Sequence, residues 1–366
     1  RTITLPNATG HIPVFATAPS AAISDGSSGQ FLKTDGSGAL SFATAGGGAS
    51  ASDDLYIANP SSATSPTAAG TNAVAIGSNS QAVGNEAFSV GISAKADGNS
   101  SISIGNYSDA MGTNSLAIGA GGTQSSATNS VAIGYANSSG DTGFATSIGT
   151  YQSSYGASGA NSVAIGNLAK ASASKSLALG YKTIASGNGA KAFGGFGLGV
   201  GTTASAEGST AIGDGASSTV SYKTAITTRP FAALGDAQAG IFVMKAATTD
   251  ATATALTSDS NNAGSGNQVV AASDTCITFH GTVVAMQNGA QAHAGWEIKG
   301  MLVNDGGTTT LALGNVSDMA ATNASSWAVA LSADNTNNAL KIQVTGEASH
   351  NIRWVANVQT SEVTYA

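Results

Sequence analysis

Ala73-Val-Ala-Ile-Gly77, Ala87-Phe-Ser-Val-Gly91, Ser101-Ile-Ser-Ile-Gly105 and Ser115-Leu-Ala-Ile-Gly119 are four copies of one phrase. Each runs small residue, apolar residue, Ala or Ser, apolar residue, Gly. Four further copies are Ser130-Val-Ala-Ile-Gly134, Ala145-Thr-Ser-Ile-Gly149, Ser162-Val-Ala-Ile-Gly166 and Ser176-Leu-Ala-Leu-Gly180. Ala190-Lys-Ala-Phe-Gly194 and Ser209-Thr-Ala-Ile-Gly213 are degenerate forms. The first four glycines are 14 residues apart, as are Gly166, Gly180 and Gly194. A fixed period of this length marks a solenoid.

Apolar residues at every second position predict a strand with a large face and a small face. The large positions include Val74 and Ile76, Ile102 and Ile104, Leu116 and Ile118, Val131 and Ile133, and Val163 and Ile165. These are the candidates for roll core and oligomer packing. Between them stands Ala or Ser in every copy, which predicts that something packs tightly on the small face as well. That uniform smallness suits packing better than an array for ice or glycan. A second half-repeat carries Ala82, Ala96 and Ala110, then Gly84, Gly98 and Gly112. Each unit therefore reads as two short strands and two tight turns, with glycine expected to supply positive φ at the corners. Stacked at strand spacing, the nine intervals from Gly77 to Gly213 give about 43 Å of roll. Intervals of 15, 17 and 19 residues predict loops at Ala120–Ala127, Tyr135–Gly143 and Tyr151–Gly159, and near Gly194 or Gly199. Tyr135, Tyr151 and Tyr155 there are candidates for lateral contacts or plain surface decoration. So narrow a coil buries little, which calls for lateral association, commonly as a cyclic homo-oligomer.

The phrases Thr71-Asn-Ala-Val-Ala-Ile-Gly77, Thr113-Asn-Ser-Leu-Ala-Ile-Gly119 and Thr128-Asn-Ser-Val-Ala-Ile-Gly134 resemble the head repeat of YadA-type trimeric adhesins. The resemblance covers about 140 residues, and it implies a left-handed parallel β-roll with three chains around a fibre axis. Arg1-Thr-Ile-Thr-Leu-Pro-Asn-Ala-Thr-Gly10 and Gly29-Gln-Phe-Leu-Lys-Thr-Asp-Gly36 resemble segments of phage tail-fibre proteins. A globular-looking C-terminal part follows the repeats, where the bacterial adhesins carry a heptad stalk and barrel anchor. Together these features imply a virion fibre.

The chain has 366 residues, of which only 9% are charged, against about 25% in ordinary globular proteins. Its 48 glycines, with many Ala, Ser and Thr, suit stacked β structure. Regular apolar spacing argues against disorder. A net charge of −7 offers no basic patch for nucleic acid. No apolar run is long enough to cross a membrane as a helix, and the single Cys276, expected to be a small buried hydrophobe, excludes an intrachain disulfide. The chain opens on Arg1 without a Met or a signal peptide, as expected of part of a longer protein.

Residues 1–48 are expected to form short β-hairpin modules, with Gln30–Thr34 and Ala39–Phe42 flanking the turn Asp35–Gly38. Residues 49–71 are read as a linker, 72–216 as the roll and 217–366 as an antiparallel C-terminal domain. Eight alternating runs define that domain: Ile241–Met244, Gln268–Val270, Cys276–Met286, Trp296–Val303, Thr308–Leu313, Trp327–Leu331, Leu340–Val344 and Ile352–Val358. Turn signals fall at Asn288-Gly289, Asn304-Asp305-Gly306-Gly307, Asp334-Asn335 and Gly346. The pattern predicts a β-sandwich or jelly roll.

No nucleophile elbow, zinc-protease motif or phosphate loop is present. Glu297, Asp305, Asp318, Asp334 and Glu347 are the carboxylates from which a glycosidase pair would have to come. His280 and His293 flank one turn, without a metal-ligand spacing. Trp296, Trp327 and Trp354 alternate with aliphatics; they either pack between sheets or present a ring to a sugar at the fibre tip, and are the candidate receptor-binding residues. The sequence as a whole is expected to give an all-β, trimeric, non-catalytic tail fibre with no cofactor or metal and no membrane insertion. The shaft would present a receptor-binding C-terminal domain outside the cell to a bacterial surface glycan or outer-membrane protein, with other virion proteins joined through residues upstream. A bacterial autotransporter adhesin head and a purely structural fibre with a trimer cap are the alternatives.

Overall fold

The computed structural model describes residues 30–34, 40–44, 64–147, 154–195, 201–289 and 291–365. The Arg1–Gly10 phrase, residues 49–63 of the expected linker, the Asp35–Gly38 turn, Tyr151 and Gly199 lie outside them. Contacts divide the chain into two units, 1–53 and 54–366. In the first, Gln30–Thr34 pairs antiparallel with Leu40–Thr44, the expected hairpin.

The second unit begins with the solenoid. Three-residue strands such as Val74–Ile76, Phe88–Val90 and Ile102–Ile104 stack in parallel, in register, along one side. Shorter strands such as Gln81–Ala82, Lys95–Ala96 and Asp109–Ala110 stack along the other, forming an 11-stranded sheet. Ladder hydrogen bonds at strand spacing make ten steps of about 48 Å. The coils start earlier and end later than the repeats suggest, from Thr67–Ala68 to Thr224–Ile226.

The two faces of the long strands are arranged unlike those of a globular sheet. Small residues fill the interior. In one coil Ser80, Ala82, Ala87 and Ser89 are all buried; in the next, Ala94, Ala96, Ser101 and Ser103. Two sheets of one chain close on each other so tightly that the space between them is filled mainly by Ala and Ser, with Thr at Thr123, Thr183 and Thr202. The partner that the small face requires is therefore the chain's own second half-repeat, not another chain. In some coils buried hydroxyls satisfy one another across the gap, as Ser103 and Ser108 do with Oγ atoms 2.6 Å apart, whereas Ser101, Ser115 and Ser162 Oγ are buried without a hydrogen-bond partner. Glycan or ice could not reach this face.

The corners repeat every seven residues. Asn72, Asn79, Glu86, Ser93, Ser100, Tyr107 and Asn114 all have φ between 53° and 58°. The left-handed residue of these corners is thus an L-residue, often Asn, which tolerates that region best, whereas Gly121, Gly189 and Gly208 take the role in later corners. Gly84 is required for another reason. Its φ is ordinary, but a Cβ there would collide with the backbone carbonyl of Gly98 in the next coil. The expectation that glycine supplies the positive φ holds for Gly77 and Gly91, at φ 112° and 135°. Side chains extend the stacking outside the coil: Asn85 Oδ1 accepts from Thr71 N at 3.0 Å, and Asn99 Oδ1 from Asn85 N at 3.1 Å.

One repeat is phased differently from its sequence. Val131 pairs with Phe144, Ala132 with Ala145 and Ile133 with Thr146. The strand is Phe144-Ala-Thr-Ser147, and Ala145, not Ser147, points inward. The coil is shortened by one residue in the turn after Gly134, so the extra length follows Ser147 rather than being shared between two coils. Gly194 is the in-phase glycine, since Phe193 pairs with Ile212.

Five long antiparallel strands continue the roll's larger sheet, which has 16 strands in all. Their order is Thr308–Thr322, His293–Asp305, Thr275–Gln287, Ile352–Thr364, Ala237–Thr248, and the last pairs with Thr224–Ile226 of the final coil. A second sheet centres on Ala339–Thr345, flanked by Ala328–Asp334 and by the short strands Thr254–Ala255 and Val269–Val270. The two sheets enclose one apolar core that includes Phe242, Leu256, Ile298, Leu340 and Ile342. Gly306 and Gly307, both with positive φ, make the two-residue hairpin that the sequence marks. All eight expected runs are strands, and Thr254–Ala255 is an additional one. Among the described residues there is no helix.

Candidate functional surfaces

The aliphatic residues of the long roll strands face outward. Val74, Phe88, Ile102, Leu116, Val131, Phe144, Val163 and Leu177 form one registered column. Ile76, Val90, Ile104, Ile118 and Ile133 begin the other, with Ile165 further along it. All the expected packing residues are on this surface, and none is in the interior of the roll. Val74 is 43% exposed and Ile102 39%, while Ile104, Leu116 and Ile118 are half-buried by their neighbours. The reason is geometric: side chains as large as Ile, Leu or Phe do not fit a coil whose inner positions hold Ala, Ser and an occasional Thr. The opposite face carries Gln81, Lys95, Asp109 and Gln124 in ladder register. Burial, only partly countered by Lys95, raises the Asp109 carboxyl above its usual value. One side of the roll thus carries an apolar stripe, broken by Thr146 in one column and giving way to Lys191, Thr210 and Thr224 at the far end of the other, and the opposite side is largely polar. A contiguous exposed apolar patch of this kind marks an interaction surface.

The three tryptophans do not present rings to solvent. Trp354 is fully buried, and Trp296 and Trp327 are 4% and 5% exposed. Trp354 lies between the other two, 5.5 Å from the Trp296 ring and 5.6 Å from Trp327. Its indole N–H donates to Thr248 Oγ1 at 2.9 Å. They form the packed centre of the sandwich, so receptor contact through these rings is ruled out. Register explains the cluster: Val283 pairs with Trp296 and Ala285 with Trp354, which places both indoles on the inner face of the two strands that flank Thr275–Gln287.

A buried polar lock joins the last coil to the sandwich. Lys223 Nζ and Glu362 Oε2 are 2.6 Å apart, with side chains 4% and 6% exposed. Gln238 Nε2 donates to the same oxygen at 2.8 Å, and Thr360 Oγ1 donates to Glu362 Oε1 at 2.6 Å. Sequence reasoning missed this site, because its two charges stand 139 residues apart. Beside it, Asp236 accepts backbone N–H bonds from Phe231, Ala232 and Ala233, and the loop holds Phe231 out in solvent.

Of the candidate carboxylates, Asp305 stands opposite Thr308 and Asp318 opposite Trp296, and the other three have separate local roles. Glu297 meets His280 at 3.1 Å, Glu347 accepts from Ser326, and Asp334 caps the turn through Thr336 and Asn337. His293 bonds the Gln291 carbonyl and stands opposite Met286, so the two histidines do not pair. Cys276 is half-buried on the outer face of its sheet, more open than expected. Tyr135 is exposed beside Gly121 and Tyr155 is half-buried. Among the described residues no group of three or more His, Cys, Asp or Glu is placed to hold a metal.

A narrow parallel solenoid with an apolar stripe, fused through one sheet to a sandwich, is the architecture of an adhesin-like fibrous protein. The YadA head domain repeat family matches residues 68–91, 82–108, 110–137, 157–183 and 195–216. These segments are similar to that repeat, and they lie on the coils described above. No curated protein matches the chain.

Proposed function

We propose that this protein is the rigid shaft and terminal domain of a homotrimeric attachment fibre, non-catalytic and borne on a virion. The observation that carries the reading is the apolar stripe, uninterrupted over the first eight coils in one column. Three such stripes facing a common axis would remove from water most of the large aliphatic side chains among the roll's described residues, which supports trimeric assembly. The similarity to the YadA head repeat supports the same number of chains. The roll then holds the sandwich at a distance, where it contacts a bacterial surface glycan or outer-membrane protein.

Placement on a bacterial cell, as the head of an autotransporter adhesin, is favoured by the family match and accounts equally for the roll. The test is binding of the intact trimer to bacterial cells together with the full-length gene and its neighbours. Adhesion with adjoining tail genes supports the virion fibre, and a barrel anchor in the same chain supports the autotransporter. A trimer that adheres to no host cell contradicts the attachment role and leaves a structural cap.

A further inference from the structure

Two adjoining cavities open at one end of the sandwich, on the outer face of its long-stranded sheet. Their volumes are about 500 and 510 Å³, and both are lined by Ala247 and Arg353. Odd-numbered residues of Ala237–Thr248 and Ile352–Thr364 point outward, as their alternating burial requires. In the register Lys245 pairs with Val355 and Ala247 with Arg353, so Lys245 and Arg353 are diagonal neighbours on that face, roughly 7–8 Å apart along the backbone.

A shaped loop closes one side. Lys245 N donates to Thr257 O at 2.9 Å, fastening the loop to the free edge of the strand. Asp259 Oδ1 accepts from Asn261 N and Asn267 Nδ2 at 2.9 and 2.8 Å, and its Oδ2 from Asn261 Nδ2 at 3.0 Å. Those bonds hold the Asp259 carboxyl below its ordinary value despite partial burial, and they fix Ser260, Asn261 and Asn262 at the cavity wall. On the far side the wall is Gln287, Asn288 and Asn351, with Asn288 N bonded to Asn351 O at 2.9 Å.

The charge distribution is the informative part. The chain has 20 acidic residues against 13 basic ones, yet no Asp or Glu lines either cavity. Among the described residues neither the Lys245 nor the Arg353 side chain has an ion pair or hydrogen bond. A planar guanidinium free to receive two oxygens recognises carboxylate, sulfate or phosphate. Amides and hydroxyls on both walls suit sugar hydroxyls. Two cations are too few to track a nucleic-acid backbone.

We infer that this groove binds an acidic saccharide, its anionic group held by Arg353 and Lys245 and its hydroxyls by the flanking asparagines. The inference names the ligand class for the attachment role proposed above and rests on that reading. The test is calorimetric titration of the full chain with trigalacturonate against its methyl ester, and with a sulfated galactan oligosaccharide against its desulfated form; the two arms separate a carboxylate ligand from a sulfate. At least one acidic form should bind about tenfold or more tighter than its neutral partner, and more weakly as salt rises. The double variant Lys245→Gln/Arg353→Gln should lose about tenfold, whereas Lys299→Gln, elsewhere on the same face, should not. All three side chains are exposed, and matching thermal melts would show the fold intact. Absence of binding by both acids, equal binding of acidic and neutral forms, or undiminished binding by the double variant would overturn the site. Cell adhesion separates the two ideas: adhesion unchanged in the double variant removes this site but leaves attachment, and a chain that adheres to nothing removes attachment while the titration still reads the groove.

Discussion

Inside the roll, one methyl group is the unit that matters. Ala178 is fully buried with Ala164 and Ala192 directly beneath and above it in the ladder. Ala178→Val should cost about 1–3 kcal/mol by overpacking, read as a lower melting temperature. The same change at the outward Leu177, to Val, should cost far less. Trp354→Ala should cost about 3–5 kcal/mol, because the ring fills the centre of the sandwich between two other indoles. At this scale the alternation of large and small was legible in the sequence, but its direction was not. Large side chains face inward in most sheets; here the spacing between two strands of a single coil leaves room only for Ala, Ser and an occasional Thr. Likewise Trp296, Trp327 and Trp354 read as strand residues, while their mutual contact depends on hairpin registers that the residues themselves do not reveal. Lys245 and Arg353 read as ordinary surface cations until strand pairing sets them side by side.

Between elements, the junction of roll and sandwich carries the most specific chemistry. Removing one member of a buried ion pair strands the other, so Glu362→Gln or Lys223→Met alone should destabilise by about 3–5 kcal/mol. The double change to a neutral, well-packed pair should recover much of that loss, and a double-mutant cycle by chemical denaturation measures the difference. The neighbouring Asp236 adds a dependence on pH. Burial pushes its carboxyl up, but the N–H groups of Ala233, Ala232 and Phe231 together bring it below the usual 3.8. Because the folded value lies below the unfolded one, the stabilisation is present above about pH 4 and fades as pH falls through the folded value. Asp236→Asn should flatten the acid limb of a melting-temperature profile. Repeat boundaries were legible to within one coil, since the glycines recur with the stacking contacts. The Phe144–Ser147 shift was not, because Ala145-Thr-Ser-Ile-Gly149 imitates the repeat phrase while Phe144 is the residue that fits the outward column.

At the largest scale, a single sheet runs from the first coil through the outer strands of the sandwich, so roll and sandwich form one mechanical piece. An all-β solenoid followed by an antiparallel domain was legible because period and turn chemistry agree along the chain. Assembly number was not, since nothing within one chain counts its neighbours. The stripe supplies the link between them. Ile104→Asp with Ile118→Asp places two charges in a surface that would be buried only on association, so the variant should retain the β spectrum of the chain yet fall apart into single chains. Mass photometry of the unmodified protein at nanomolar concentration, beside that variant, tests the account most directly. The account predicts a particle of three times the chain mass that becomes monomeric in the double variant. A monomeric unmodified chain, or a trimer indifferent to both aspartates, would contradict it.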